Sequence, residues 1–422
     1  MDETVFVSGS TCPYTYDVVE DLVGTNVTQA DALKWPCELR TFWVQLLPLV
    51  NLVRFLLSYG TSLIVICGVF FNMLSFIVLT SKHMRKTTSN LYLAFLAIYD
   101  TCSLTFNFMI GVIRGNSEAA NKNFQSSESL CTFHGVVVEL FNLLSVWIIV
   151  SFTLERFAMV KFPLKVRTWS PKKTVVTLFI VSATMTIVSF HKIAVSGFEG
   201  DSVFGYKACK TRRKILKEII YLYVALNTWL PTCTIVTLNG VIIWELKKNQ
   251  KKRAQMTQSS MTKSDEKATR LLLMVSSTFV LLVLPLGIVQ SVELIWNGTQ
   301  QVPPGHQDYF HYMKTKMQLK WARAFFFFFY QLNFTINFFL YVSSSASRFR
   351  ANLRNILGLK LAKDDMLYSK APDKSSRNAV APAPGTKDTE DGNSSDDDDE
   401  ANNTDAAKKS STQTVTFKES TA

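Results

Sequence analysis

Long apolar stretches alternate with short polar connections along most of the chain. Seven stretches stand out, at residues 52–80, 89–113, 131–158, 172–194, 219–246, 267–296 and 322–346. Each runs to roughly 22–30 residues, which at about 1.5 Å per helical residue crosses the apolar layer of a bilayer with some tilt. The pattern predicts an all-α bundle of seven membrane-spanning helices. Residues 41–57 are also apolar, but Pro48, Asn51 and Arg54 interrupt them, so they read as a lead-in to the first span. After Tyr341, the residues Phe349, Leu353, Ile356 and Leu357 recur at helical spacing beside Arg348, Arg350 and Arg354. That is the pattern of a short amphipathic eighth helix lying on the membrane surface. From about residue 358 the apolar content falls away, and APAPG and SSDDDDE runs appear. Such a segment buries no core, so a disordered cytoplasmic tail is expected. The organisation is therefore an N-terminal segment over 1–50, the bundle with its surface helix over 51–357, and a tail over 358–422.

Composition narrows the class. With 48% hydrophobic residues, 18% charged residues and 31 phenylalanines in 422 residues, the chain is too apolar for an ordinary soluble domain. No HExxH, GxSxG, phosphate loop or metal-spaced Cys/His set appears, and the five histidines are scattered, so an enzyme is not expected. The lipid bilayer is the expected environment, and no nucleic-acid partner is expected. Internal repeats and facing charge pairs, which mark transporters, are not found either. The opening MDETVFVSGSTCP has no basic region followed by an apolar core, so the first span is expected to direct insertion.

Charge orients the bundle. The first fifty residues carry seven acidic and two basic side chains, whereas alternate connections are basic: Lys82, Arg85 and Lys86; Lys161, Lys165, Arg167, Lys172 and Lys173; Lys247, Lys248, Lys251, Lys252 and Arg253. Basic connections stay in the cytoplasm, which places the N-terminus outside and the C-terminus inside a plasma-membrane protein. Lys207, Lys210, Arg212, Arg213, Lys214 and Lys217 form an exception on the outer fourth-to-fifth connection. The sequons at Asn26 and Asn297 fall on outer segments and are candidate glycosylation sites. Cys12, Cys37, Cys131 and Cys209 lie outside the apolar runs and suffice for two extracellular bridges.

Twenty-five residues separate Cys131 from Arg156 on one apolar span that ends in Glu155-Arg156-Phe157. An outer cysteine and an inner acid-Arg-aromatic triplet on one helix resemble the third helix of rhodopsin-like G-protein-coupled receptors. Glu155-Arg156-Phe157, the ending INFFLYVSSSASRFR and the missing last-helix proline together resemble invertebrate FMRFamide-like neuropeptide receptors. The resemblance implies a Cys131–Cys209 bridge, and Cys12 with Cys37 is the candidate for a second. It implies an arginine, Arg156, paired with Glu155 at rest and freed to face a heterotrimeric G protein on activation, with Asp265 and Tyr341 among the switch residues. It departs from the family at Val283, where tryptophan is usual, at Asn239, where tyrosine is common, and at Asn337-Phe338-Phe339-Leu340-Tyr341, which lacks the usual proline.

An ionisable side chain at bilayer depth is a functional candidate, and Asp100 is such a residue. In the family, positions matching Asp100, Ser145, Asn333 and Asn337 surround an allosteric Na⁺, with Asn72 nearby, and an oxygen-rich set suits a hard cation. The same residues read equally as hydrogen bonds between helices. No other cofactor is expected.

The ligand is read from the outer half. Val138 stands where amine receptors carry aspartate, and Gln331 where visual pigments carry a retinal-binding lysine, so both classes are disfavoured. Glu139 and Glu293 are placed to catch a basic group on a peptide, with Asn142, Gln290 and Gln331 on the floor. The Lys207–Lys217 cluster would instead favour an anion. The function expected is a receptor for an extracellular ligand, a neuropeptide, with a small-molecule chemosensory receptor on the same fold as the alternative. Ser394 and Ser395, before an acidic run, suit a kinase that reads acidic residues, and a phosphorylated tail suits arrestin.

Overall fold

Inside a bilayer every backbone N–H and C=O must find a partner within the protein, which makes long helices the default for the apolar stretches. The computed structural model describes residues 37–359 apart from 83, 86, 163–170, 191–192, 194–195, 200–207, 212–216, 256–262, 301, 303–305 and 344–346, and gives the backbone alone for 115, 125, 196–199, 208–211, 217–220, 249–255, 263–266 and 347. The chain divides into two units, Met1–Ala371 and Pro372–Ala422, and the second lies outside the described residues. Among the described residues, six unbroken helices are long and apolar enough to span: Cys37–Leu79, Thr88–Arg114, Glu128–Lys161, Pro171–Ser189, Tyr221–Lys248 and Lys267–Thr299. The seventh joins Tyr309–Leu332 to Asn337–Ser343 across a 47° bend. A small antiparallel hairpin, β1 (Ser196–Glu199) and β2 (Ala208–Thr211), occupies the fourth-to-fifth connection and lies against the third span.

Two spans reach further than the apolar pattern alone predicts. The first is helical from Cys37, and the seventh begins at Tyr309, well before residue 322. The cause is a second apolar core in which Leu39, Trp43, Val50 and Val53 pack on Met317 and Trp321. Trp43 and Trp321 approach to 6.3 Å between ring centroids. Each segment alone is broken by polar residues or proline; only their pairing supplies the burial that keeps both helical. Along the first span Ile66, Phe70, Met73 and Ile77 share an exposed face at helical spacing, as expected of a lipid-facing surface.

The bend in the seventh span needs no proline. Between Leu332 and Asn337 the backbone bonds tighten, with Asn333 N–H donating to Tyr330 O at 3.1 Å and Thr335 N–H to Leu332 O at 3.0 Å. Carbonyls released by such a slip must be satisfied elsewhere. Asn72 Nδ2 donates to Phe334 O at 2.7 Å, and Asn337 Nδ2 lies 3.3 Å from Asn333 O. Buried asparagine amides thus hold the bend that a proline would otherwise fix.

The predicted surface helix is Ser347–Ile356. Phe349 buries itself edge-on against Tyr341, 5.7 Å between centroids. Gly358, at φ +66°, ends the helix: its N–H donates to Asn355 O, and Leu359 N–H to Arg354 O at 2.9 Å. This is the Schellman closure, which favours glycine because the left-handed region is strained for other residues.

Candidate functional site

Three polar clusters line up along the third span. At the Arg156 end, Arg156 and Glu155 are both 1% exposed. Arg156 Nη2 lies 3.0 Å from Glu155 Oε1. Thr88, in the first turn of the second span, donates to Glu155 Oε1 at 2.6 Å and accepts from Arg156 Nη2 at 3.1 Å. The guanidinium also lies over the Phe152 ring, 5.4 Å from its centroid. A buried charge pair needs such extra bonds, because desolvation otherwise cancels the attraction. Thr88 was not foreseen from the sequence; a threonine at a helix start ordinarily reads as a local cap. Phe157 turns away toward Lys161, whose ammonium is 5.3 Å from its ring. Tyr341 is buried. Asp265 lies on the sixth helix, with its side chain outside the described residues.

At mid-span, Asp100 is fully buried. Ser145 Oγ donates to its Oδ1 at 2.5 Å, and Asn337 Nδ2 to its Oδ2 at 2.8 Å. Asn333 is buried at the adjoining bend. One carboxylate with neutral hydroxyl and amide oxygens is a donor set that fits a monovalent hard cation. Entry of an ion would require the Asn337 amide to turn its oxygen inward. Between these levels, Asn239 Nδ2 donates to Ser276 Oγ at 2.8 Å and ties the fifth span to the sixth.

At the Cys131 end the helices part around a cavity of about 730 Å³. Asn142, Gln290 and Gln331 line it, as their positions predict. Val138, Glu139 and Glu293 do not line it. Glu139 is buried and interacts electrostatically with Tyr223. Glu293 is held by Arg323, Nε to Oε2 at 2.8 Å, so its charge is already answered within the protein. Val283, where the resemblance leads one to expect tryptophan, forms part of the wall. Three cations, Arg54, Lys320 and Arg323, line the same cavity, and among the described residues its lining includes no acidic side chain. Arg54 sits 5.8 Å from the Trp321 ring centroid. Sequence reading missed these cations: Arg54 appeared only as an interruption, and Lys320 fell before the expected start of the seventh span.

Cys37 and Cys131 are each in a disulfide, whereas Cys67, Cys102 and Cys233 are free. The Cys12 residue and the Cys209 side chain lie outside the described residues, as do Asn26 and the side chains of the Lys207–Lys217 cluster. The backbone of Cys209 falls on β2, opposite Phe198. Asn297 is exposed on the last turn of the sixth helix.

Comparison with known proteins agrees with this geometry. The chain is 30% identical over 216 residues to the FMRFamide peptide receptor frpr-18 of Caenorhabditis elegans, an alignment covering 48% of this chain and 49% of that receptor. It is 24% identical over 274 residues to the neuromedin U receptor homolog nmur-2 of the same nematode, covering 58% of this chain and 67% of that protein. The chain thus spans only about half the length of the first of these relatives. The family profile described as serpentine type 7TM GPCR chemoreceptor Srw matches residues 59–360, most of the chain and all of the second to seventh spans. With seven helices of spanning length carrying a buried Glu-Arg pair at one end and a lined cavity at the other, the chain belongs to the serpentine type 7TM G-protein-coupled receptor Srw family.

Proposed function

We propose that this receptor sits in the plasma membrane with its N-terminus outside, takes a neuropeptide into the cavity at the Cys131 end, and activates a heterotrimeric G protein at the Arg156 end. The carrying observation is the buried Arg156–Glu155–Thr88 cluster, at the opposite end of the third span from the cavity. A cluster closed at rest holds the arginine away from a partner; a ligand that favours the arrangement in which it opens shifts the population toward signalling. The similarity to a nematode FMRFamide peptide receptor supports a peptide ligand. The family's chemoreceptor description supports the second reading, a small environmental ligand in the same cavity.

Within this reading Cys131 bridges Cys209, which would fasten the β1–β2 hairpin over the cavity, and Cys37 bridges Cys12. Asn26 and Asn297 are the glycan sites. Asp100, Ser145, Asn333 and Asn337 would hold a Na⁺ that stabilises the resting arrangement, and the tail recruits receptor kinases and arrestin. The test expresses the chain in cultured cells, screens amidated peptides and small odorants through calcium and cAMP readouts, and compares Arg156→Ala. We expect the variant to reach the surface and to lose at least tenfold in maximal response. An Arg156→Ala receptor signalling as well as the parent would overturn the assigned switch.

A further inference from the structure

Three stretches of the described residues wind as wide π turns within otherwise α-helical spans: Leu56–Gly60 on the first, Leu104–Met109 on the second and Ala225–Trp229 on the fifth. Each contributes side chains to the cavity wall. A wide turn takes up an extra residue and displaces the backbone hydrogen bonds, so it keeps its shape only where the displaced groups find other partners. In the second span that exchange can be followed atom by atom. Ile110 N–H, which an α-helix would direct to Phe106 O, donates to Asn107 O instead. Phe106 O receives a donor from another helix: His134 Nε2 of the third span, at 2.7 Å.

The third span grips this turn twice. Besides the bond from His134, the Phe106 ring stacks on Phe141, with centroids 5.6 Å apart and planes 8° apart. His134 and Phe141 are seven residues apart, about two helical turns, so both contacts come from one face of the third span. The imidazole is braced in turn by the short helix Glu118–Ser126, whose buried Phe124 meets it edge-on at 5.1 Å. Beyond the turn, Gly111, Val112 and Asn116 line the cavity, and a Cβ at Gly111 would meet nothing within 4 Å. An α-helix advances about 100° per residue, so closing the wide turn by one residue would swing these positions off the wall by about that angle. We infer that His134, which does not itself line the cavity, is a positioning residue for ligand recognition: its bond to Phe106 O holds the wide turn open and so keeps Val112 and Asn116 on the cavity wall. The role in recognition rests on the cavity being the ligand site.

The experiment uses the full chain in lipid nanodiscs, with the free thiols removed by Cys67→Ser, Cys102→Ser and Cys233→Ser. A single thiol is then placed on the cavity wall, by Val112→Cys on the second span or by Gln290→Cys on the sixth, and its rate of reaction with a charged, water-soluble methanethiosulfonate is measured. We expect His134→Phe to slow the reaction at Val112→Cys at least fivefold and to leave that at Gln290→Cys unchanged. His134→Gln, whose amide nitrogen reaches about as far as Nε2, should restore the rate to within about twofold. Equal rates at Val112→Cys with and without His134→Phe would overturn the proposal. So would a His134→Gln variant as slow as His134→Phe, or a parallel loss at both thiols, since either would mean that His134 only fills space. A second arm passes a random library of amidated pentapeptides over the same receptors. Retention should fall at least fivefold in His134→Phe, return in His134→Gln, and be blocked when the Gln290→Cys thiol has been modified. If that block abolishes retention but His134→Phe retains peptides as the parent does, the cavity stands as the ligand site and the proposal fails. If the block leaves retention unchanged, the cavity is not the peptide site, and the role of His134 in recognition falls with that reading even where the thiol rates show that it holds the turn.

Discussion

The two ends of the third span solve opposite problems. Around Asn142 the helices part, and polar side chains line a cavity of about 730 Å³. Around Arg156 they close, and the guanidinium finds its carboxylate and hydroxyl partners inside the protein. The difference lies in where polar groups are satisfied. A recognition end must leave hydrogen-bonding capacity open to an incoming molecule; a switching end must close it, so that opening costs free energy until a partner replaces the lost bonds. The cluster at Asp100 lies between the two, and Asn337 belongs both to that cluster and to the bend of the seventh span.

The contrast makes its strongest prediction at Glu155. Glu155→Gln keeps the shape but removes the negative charge that receives Arg156 and Thr88. Hydrogen bonds to charged groups contribute about 1.5–3 kcal/mol each, equivalent to roughly 10- to 150-fold in a two-state equilibrium. The expected result is a several-fold rise in ligand-independent signalling, measured as cAMP or calcium per surface receptor. A basal level equal to that of the parent would mean that the closed cluster does not set the resting state.

A second prediction concerns the wall beside the cavity. The cavity is open, but the seam flanking it is tight. A Cβ added at Gly287 on the sixth span would meet Thr228 Cγ2 of the fifth at 2.2 Å. Overpacking of this kind costs about 1–3 kcal/mol. Gly287→Val should therefore lower the thermal midpoint of the purified receptor by several degrees, and adding Thr228→Ala, which removes the offending methyl, should restore most of the loss. If the double variant is no more stable than the single one, the seam is not where the strain arises.

How much of this was legible beforehand follows from the range of each interaction. The seven spans rest on local apolar runs, and the Asp100–Ser145–Asn337 set on isolated polar residues at similar depth, so both could be read without coordinates. The full helical extension to Cys37 could not, because Trp43 and Trp321 are 278 residues apart in the chain and polar residues or proline interrupt each flank. One of the cavity's cations was hidden for the same reason: Lys320 becomes a pocket residue only once the seventh span starts at Tyr309. Glu293 was misread in the opposite sense. Its depth on the sixth span pointed to a ligand contact, whereas Arg323, brought in from the seventh, already occupies it.

The smallest effect is expected at the bond from Asn239 to Ser276. It joins the fifth and sixth spans in the half of the bundle nearer Arg156, and both residues are buried. Ser276 Oγ also donates to Leu272 O at 2.8 Å, so its hydroxyl is oriented to accept from Asn239 rather than to compete for another acceptor. A neutral bond of this kind contributes about 0.5–1.5 kcal/mol, worth roughly two- to twelvefold in the equilibrium. If it holds the fifth and sixth spans together only at rest, Asn239→Leu should raise basal signalling by a few-fold, less than Glu155→Gln. Ser276→Ala should do the same, and the double variant should add little to either, because both changes remove one interaction. Fully additive effects would show instead that each residue acts through separate contacts, and that the fifth and sixth spans are held at this level by packing alone.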